Sequence, residues 1–469
     1  MAVKGVVESV SEDDWSLPKG QMHRQVAVWL LFLMAVAITG GASRYDAIQI
    51  LPLRAIAAMA LALSFLDIDC LKLRSNWPLL AFFTALIVIV GVQVIPVPVD
   101  FWERGLARDL KLVGHSPLEA SHYRPLSLAP LRTWNALASL IVPAAAIMLA
   151  ISYTRTASIL LKSIAFLGVL SAALGLIQVA SGPTSPLYFY EITNRGSAVG
   201  IFANENHAAV FGAVAMLILA YLFSTLRGRS QSVVWKIVYS AGFLMIFLVN
   251  LVTGSRAGFI TALFAMTVSL LLLSLGVALR LRSETSKSLG GVRAKLPLLL
   301  ILPLMVASGL VLLFIVAGRA PAFVDIVSQD GLADLRWSLW PVLQEMFATY
   351  WLFGSGFGSF EQVYQLHEPQ SLLMPKYVNQ AHNDWIQFAI EGGLGAMILL
   401  IAFVAWVLWS MYRLWAAGAR VPLTFWVSVF AVVGGASLVD YPLRSPAFQV
   451  IAMLMIVALY REIRAMNAD

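Results

Sequence analysis

The chain has 469 residues, of which 60% are hydrophobic and 12% are charged, and its mean hydropathy is +0.82. Soluble globular proteins do not have this composition, so we exclude that class and predict a protein that crosses a membrane many times. The net charge of +7 is accounted for by basic loops that flank the apolar segments, and we exclude nucleic acid as a partner.

Apolar segments long enough to form transmembrane helices recur along the whole chain. Because a helix needs roughly 20 apolar residues to cross a bilayer, the sequence predicts an all-α polytopic fold with about 12 transmembrane helices. The predicted spans are residues 25–43, 48–66, 78–96, 133–152, 159–180, 207–226, 235–252, 257–280, 297–317, 392–412, 422–438 and 446–460. Pro96 closes the third span and Pro446 opens the last, which makes these two the weakest signals.

The distribution of lysine and arginine predicts which loops lie in the cytoplasm. With residues 1–24 inside as a retained tail, the cytoplasmic segments contain 19 of the 32 basic residues, the longer outer loops contain 12, and Arg54 lies within a span. Loops rich in these residues stay inside. We therefore expect both termini in the cytoplasm, spans 1–9 within residues 25–317, and spans 10–12 with a short tail within 392–469. Outer loops are expected near 97–132, 181–206 and 318–391.

The largest outer loop, residues 318–391, is predicted to be helical. Apolar residues at three- and four-residue spacing predict an amphipathic helix that lies on the membrane surface. They are Leu332, Leu335, Leu339, Leu343, Met346, Phe347, Tyr350 and Trp351. A turn-rich segment from Gly354 to Gly358 follows, and a second helix is predicted to open near Ala381 and to continue into the tenth span.

Four outer segments, in this order, resemble the O-antigen ligase and polymerase superfamily over residues of about 185–400. They are Arg195 to His207 (RGSAVGIFANENH), Thr253 to Gly258 (TGSRAG), Gly354 to Phe360, and Ala381 to Trp385 (AHNDW) with Glu391-Gly392-Gly393. Ile95 to Pro98 with Trp102, and Leu126 to Leu128, resemble the first large loop of that family. The resemblance also implies the membrane architecture of GT-C-type glycosyltransferases.

The resemblance implies a metal-independent membrane glycosyltransferase without a cofactor, in the bacterial cytoplasmic (inner) membrane. Such an enzyme transfers a glycan from undecaprenyl pyrophosphate to an acceptor on the periplasmic face. An O-antigen ligase, which uses lipid A core as acceptor, is favoured; an O-antigen or exopolysaccharide polymerase, which uses a growing glycan, is the alternative. The implied partners are this donor, this acceptor and membrane lipids. A transporter or flippase is a second alternative, although transporter sites usually lie near the membrane midplane.

Two outer arginines are candidates for binding the donor pyrophosphate. A departing pyrophosphate develops negative charge, which fixed cations at the membrane surface stabilise. Arg256 lies in a tight turn between two spans, and Arg195 lies in a loop that leads to a helix N-terminus, a position that favours anions. The alternative roles are a snorkelling anchor for Arg256 and a solvated loop cation for Arg195.

His382 is the candidate catalytic base for the acceptor hydroxyl, because imidazole can accept a proton near neutral pH. Asp384 and Glu391 are close to it in the sequence, and either would be able to orient the ring or increase its basicity. The alternative is that His382 caps the helix that enters span ten.

Three further residues are candidates for supporting roles. His207 begins the sixth span beside the Arg195 segment, where it either lines the same cavity or is a core histidine. Arg54, inside the second span, either snorkels or contacts a lipid phosphate, and Arg336 adds a cation to the large outer loop. Because no two histidines have a ligand spacing such as H-x-x-x-H, a metal site is not predicted.

Overall fold

The computed structural model describes residues 19–45, 47–68, 70–102, 122–226, 231–283, 309, 335–373 and 378–466. The helices in these residues are α1 (Lys19–Thr39), α2 (Ile50–Asp67), α3 (Cys70–Ser75), α4 (Trp77–Val92), α5 (Pro130–Ser139), α6 (Ile141–Tyr153), α7 (Ala157–Ser181), α8 (Glu205–Thr225), α9 (Gln231–Val252), α10 (Arg256–Ser283), α11 (Leu335–Tyr350), α12 (Phe360–His367), α13 (Asp384–Ala416), α14 (Arg420–Val439) and α15 (Pro446–Ala465). Strands β1 (Pro96–Pro98) and β2 (Tyr123–Pro125) and two short 3₁₀ turns, Gln370–Leu372 and Pro442–Arg444, complete the described elements.

The predicted all-α polytopic fold is confirmed. Within the described residues, ten helices are long and apolar enough to cross a membrane, with α5 and α6 together forming one of them, Pro130–Tyr153. Each of the ten overlaps one predicted span. The third predicted span corresponds to α4, an apolar helix of 16 residues that is shorter than a bilayer requires. Of the ninth predicted span, 297–317, the structure describes residue 309 alone.

Helix α8 lies at the centre of the bundle, where it packs against α7, α9, α10 and α14. Its small residues allow these helices to approach closely: a Cβ atom at Gly212 would lie 2.6 Å from Oδ1 of Asn250 in α9. Asn250 in turn donates from Nδ2 to the carbonyl of Ala209 at 3.1 Å. Close contact through small residues, joined by a polar bond between helices, is typical of packing inside membranes.

Several connections that were predicted to lie outside meet at one end of the bundle. The carbonyl of Gly40, just after α1, accepts a hydrogen bond from the N–H of Ala447 in α15 at 2.7 Å. The next carbonyl, that of Gly41, accepts from the N–H of Ala203 before α8 at 3.1 Å. The hydroxyl of Tyr190 accepts from the N–H of Gly41 at 2.6 Å. The loops that precede α2, α8 and α15 therefore share one end.

The two strands bring the beginning of the first predicted outer loop, residues 97–132, next to its later part. They pair antiparallel, with Val97 opposite Arg124, and Trp102 donates from Nε1 to the carbonyl of Pro125 at 3.0 Å. The segments that resemble the family's first loop, around residues 95–102 and 126–128, therefore lie side by side.

The amphipathic stripe of α11 packs on protein, and the position of this helix at the membrane surface stays a prediction. Leu339, Leu343 and Met346 are buried in one cluster with Tyr364 of α12 and Ile390 of α13. The opposite face of α11 carries exposed tryptophans, Trp337 and Trp340. Burial against two helices removes these apolar side chains from water, which stabilises the packing of α11.

Candidate active site

His382 lies next to a buried carboxylate at the end of the bundle where α14 leads into α15. Its Nδ1 is 3.6 Å from Oδ1 of Asp440, the residue that follows α14. The same oxygen is 4.0 Å from Nε2 of His207, in the first turn of α8. Asp440 therefore lies between two imidazoles that come from distant parts of the sequence.

Solvent reaches these three side chains to very different extents. The side chain of His382 is 26% exposed, whereas those of Asp440 and His207 are 4% and 1% exposed. The ring of Tyr441 meets both imidazoles at a steep angle, with centroids 4.9 Å from His382 and 5.2 Å from His207. Of the two histidines, His382 is the one that a substrate can reach. The burial of His207 agrees with its alternative role as a core histidine.

The backbone at His382 shows that its ring is not used to cap a helix. Asn383 is the N-cap of α13, and its Oδ1 accepts hydrogen bonds from the N–H groups of Trp385 at 3.0 Å and Ile386 at 3.1 Å. His382 itself has a φ of +51°, and no other non-glycine residue in the described ranges has a positive φ. This conformation costs roughly 1–3 kcal/mol, and residues held in it cluster at functional sites.

Arg444 joins the two carboxylates that were candidates for orienting His382. Its Nη1 donates to Oε2 of Glu391 at 2.6 Å, and its Nε is 3.4 Å from Oδ1 of Asp384. Burial lowers the pKa of Arg444, but the ion pairs with Glu391 and Asp384 outweigh burial and raise its pKa overall. The guanidinium therefore remains charged at every physiological pH.

The expectation that Asp384 or Glu391 orients the imidazole needs correction, because the structure places Asp440 beside His382 instead. The other oxygen of Asp384, Oδ2, accepts hydrogen bonds from Ser437 Oγ at 3.1 Å and from the N–H of Leu443 at 3.2 Å. Asp384 thus fixes the α14–α15 connection that carries Asp440. Its effect on His382 is indirect.

The glycine-rich segment from Gly354 to Gly358 packs directly on Glu391 and the residues next to it. The N–H groups of Ser355 and Gly356 donate to the carbonyls of Ile390 at 2.9 Å and Glu391 at 3.0 Å. A Cβ at Gly354, where φ is +74°, would lie 2.2 Å from the carbonyl oxygen of Glu391. Helix α13 is kinked at Gly393, where φ is +63°, to accommodate this contact. Two motifs that are far apart in the sequence therefore form one structural unit.

The carboxylate of Glu391 connects this unit to the helices around it. It is fully buried, and its Oε1 accepts hydrogen bonds from the N–H of Phe360 at 3.3 Å and from Nε2 of Gln387 at 3.2 Å. Its other oxygen binds Arg444. Glu391 therefore links α12, α13 and the α14–α15 connection.

The segments that carry the two candidate pyrophosphate-binding arginines meet at the N-terminus of α8. The side chain of Asn194, next to Arg195, accepts from the N–H of Glu205 at 3.2 Å. A Cβ at Gly254, two residues before Arg256, would lie 3.0 Å from a carboxylate oxygen of Glu205. Both arginines are exposed. His207, in the same first turn of α8, lies 4.0 Å from Asp440, which is also next to His382. The two arginine segments and His382 therefore belong to one region.

The remaining candidates lie elsewhere. Arg54 in α2 donates from Nη1 to Oδ1 of Asn135 at 2.8 Å and from Nη2 to the carbonyl of Asn135 at 3.3 Å. Arg336 follows the first residue of α11, and its side chain lies outside the described residues.

Asp440, Tyr441 and Arg444 are the site residues that the sequence analysis missed. All three lie in the short connection between α14 and α15, residues 440–445. Arg256 was selected because it lies in a tight turn between two spans, and the same criterion would have found Arg444.

The comparisons with known proteins bear on this region. A family model described as O-antigen ligase matches residues 240–401, about a third of the chain. The matched part includes Arg256, the glycine-rich segment, His382 and Glu391. No curated protein sequence matches the chain. The match confirms the predicted resemblance to the O-antigen ligase and polymerase superfamily over residues 240–401.

Proposed function

We propose that the chain transfers a glycan from undecaprenyl pyrophosphate to an acceptor on the periplasmic face of the inner membrane, as an O-antigen ligase. The observation that carries this proposal is the contact between His382 and the buried carboxylate of Asp440, at the end of the bundle where the Arg195 and Arg256 segments meet. The O-antigen ligase domain supports the same class of reaction.

In the proposed reaction, the acceptor hydroxyl oxygen attacks the anomeric carbon of the donor glycan. The bond between that carbon and the pyrophosphate oxygen breaks, and undecaprenyl pyrophosphate leaves with the electron pair. The hydroxyl proton passes to Nε2 of His382. Asp440, 3.6 Å from Nδ1, stabilises the imidazolium that forms. The proton is released to solvent after the product leaves.

Arg195 and Arg256 are proposed to bind the pyrophosphate. Both are exposed, so an anionic ligand can reach them. The N-terminus of α8 lies between their segments and adds the positive end of the helix dipole. Together these groups stabilise the negative charge that develops on the leaving group.

The polymerase alternative uses the same donor and the same chemistry, so only the acceptor distinguishes it from a ligase. The transporter alternative is not favoured, because His382, Asp440 and the two arginine segments lie at helix ends and not in mid-span. Transporter sites are usually built from broken helices near the midplane.

A transfer assay with the purified full-length protein tests the proposal. The donor is a glycan on undecaprenyl pyrophosphate, and it is offered with lipid A core or with a single repeat unit on the same lipid carrier. Glycan joined to lipid A core identifies a ligase, and glycan joined to the repeat unit identifies a polymerase. Absence of transfer to either acceptor, with donor binding intact, would contradict the proposed function.

The proposed orientation has a separate test. A reporter that is active only outside the cytoplasm should be active when fused after residue 365 and silent when fused after residue 288. The reverse pattern would place the site in the cytoplasm.

A further inference from the structure

Two arginines from neighbouring elements share one face of α5, away from His382. Arg54 of α2 binds the side chain and the carbonyl of Asn135 in α5. Arg132 lies three residues before Asn135, so both residues project from the same side of that helix, about 5–6 Å apart at Cβ. The guanidinium of Arg132 stacks on the ring of Tyr45, and its Nη2 is 3.8 Å from Oε2 of Glu361. We call this group of Arg54, Arg132, Asn135 and Tyr45 the α5 face.

Two N–H donors of the α5 face make no hydrogen bond. Nε of Arg54 and Nη1 of Arg132 are buried, and neither has a hydrogen-bond partner. Arg132 has a distant acid, whereas the hydrogen bonds of Arg54 go to the neutral Asn135. Burial of an uncompensated guanidinium inside a span is costly, so such a residue indicates a functional site. Each guanidinium therefore keeps a hydrogen-bond donor that an anionic oxygen can satisfy.

The depth of the α5 face matches the headgroup region of a bilayer. Arg54 lies four residues after the start of α2, or about 6 Å along the helix. Arg132 lies in the first turn of α5. Beside them, Leu51, Leu131 and Trp134 are exposed apolar side chains, which suit contact with lipid. The face therefore opens toward lipid at the level where phosphate groups lie.

The α5 face adjoins the candidate active site through the glycine-rich segment. Thr133, next to Arg132, donates from Oγ1 to the carbonyl of Phe357 at 3.0 Å. A Cβ at Gly358 would lie 3.1 Å from the carbonyl oxygen of Arg132. The other side of this segment packs on Glu391. A lipid held at the α5 face would thus lie against the same glycine-rich segment that packs on Glu391.

We propose that Arg54 and Arg132 bind the phosphate group of a lipid other than the glycan donor. This inference rests on the proposed function, in which Arg195 and Arg256 already bind the donor pyrophosphate. A phosphate at this depth comes either from the acceptor lipid, since both acceptor classes carry one at the membrane surface, or from an anionic membrane phospholipid. Both sources offer an anionic oxygen to a guanidinium.

The first arm of the test measures transfer kinetics of the full-length protein with Arg54→Gln. The acceptor that turns over in the parent is used with and without its phosphate. If the α5 face binds the acceptor, the variant raises the acceptor KM about tenfold, as expected for one charge-assisted hydrogen bond. The donor KM stays unchanged, and removal of the acceptor phosphate raises the acceptor KM less in the variant than in the parent, because only Arg132 remains to bind it. Arg54→Lys should recover part of the affinity.

The second arm measures binding of phosphatidylglycerol, with phosphatidylcholine as the neutral comparison, by native mass spectrometry. If the phosphate belongs to a membrane phospholipid, Arg54→Gln should bind phosphatidylglycerol about tenfold more weakly and should leave the acceptor KM unchanged. Arg420→Gln, which removes an exposed arginine at the opposite end of the bundle, should change neither quantity. The inference would be overturned if Arg54→Gln changed neither the acceptor KM nor phosphatidylglycerol binding, or if it raised the donor KM. The binding arm needs no turnover, so it tests the α5 face even if the protein does not transfer a glycan. Failure of this inference and failure of the proposed function are therefore distinguishable.

Discussion

The carboxylate of Asp440 lies 3.6 Å from Nδ1 of His382, although 57 residues separate the two in the sequence. The carboxylate is buried and the imidazole is partly exposed. In the proposed mechanism, Asp440 stabilises the proton on Nδ1 of His382. Nε2 is then the atom that accepts the proton of the acceptor hydroxyl. Asp440 is a positioning residue in this account, because it acts through His382.

Substitution of Asp440 by asparagine keeps the shape of the side chain and removes its charge. We expect Asp440→Asn to lower kcat at least about tenfold, which corresponds to about 1.4 kcal/mol less stabilisation of the imidazolium. The donor KM should stay close to that of the parent. Glu345→Gln, at an acid whose side chain is 66% exposed, is the matched control and should retain activity. Unchanged kcat in Asp440→Asn would show that the carboxylate only supports the fold.

Arg256 is expected to act on the leaving pyrophosphate through charge and hydrogen bonds. Arg256→Ala should lower kcat/KM for the donor by about 10²-fold, the usual effect of losing one fixed donor to a developing anion. Arg256→Lys should retain part of this activity, because it keeps the charge without the planar fork. Arg420→Ala at the opposite end of the bundle controls for the loss of a surface cation. Parental kinetics in Arg256→Ala would remove this residue from the site.

Gly354 is predicted to be indispensable for packing of the glycine-rich segment. Gly354→Ala would place Cβ 2.2 Å from the carbonyl oxygen of Glu391 at a positive φ, so we expect a loss of about 2–4 kcal/mol from strain and overpacking. Gly418 also has a positive φ, but a Cβ there meets nothing within 4 Å. Gly418→Ala should therefore lose only about 1 kcal/mol. Thermal unfolding in detergent compares the two, and equal losses would show that the contact with Glu391 is not tight.

The ion pair between Arg444 and Glu391 is predicted to be strongly coupled. Glu391→Gln and Arg444→Gln should each destabilise the protein, because Arg444→Gln leaves the buried Glu391 without its counter-charge and Glu391→Gln leaves Arg444 with Asp384 alone. The double variant should lose less than the sum, with a coupling energy of about 1–3 kcal/mol. The Arg132–Glu361 pair is looser, at 3.8 Å against 2.6 Å, and should show a smaller coupling energy. Additive losses at Arg444 and Glu391 would contradict this assignment.

Hydropathy and charge predicted most of the fold, because each span is a local signal. The helix expected to open near Ala381 does begin at Asp384 and continues through the tenth span. Its kink at Gly393 was not predicted, since the bend depends on a segment forty residues earlier in the chain. Periodicity likewise identified the apolar face of α11, but it does not specify whether lipid or protein covers that face.

The candidate site was predictable only where its residues lie together in the sequence. His382 and the two arginines stand in recognisable segments, whereas the partners of His382 and Glu391 come from the connection between α14 and α15. Sequence proximity suggested Asp384 as the partner of the imidazole. In the fold, the carboxylate of Asp384 points to Arg444, Ser437 and Leu443, and the chain reversal after α14 brings Asp440 to His382.

The most direct test of the central claim is single-turnover transfer by His382→Asn from purified lipid-linked donor. Asparagine tolerates a positive φ, so the variant should fold with the same backbone while it lacks a base. We expect the rate to fall by about 10² to 10⁴ with donor affinity close to that of the parent, and chelation by EDTA to leave the parent enzyme active. A variant that transfers glycan at the parental rate would contradict His382 as the catalytic base, and a parent that chelation also inactivates would point to a metal-assisted mechanism instead.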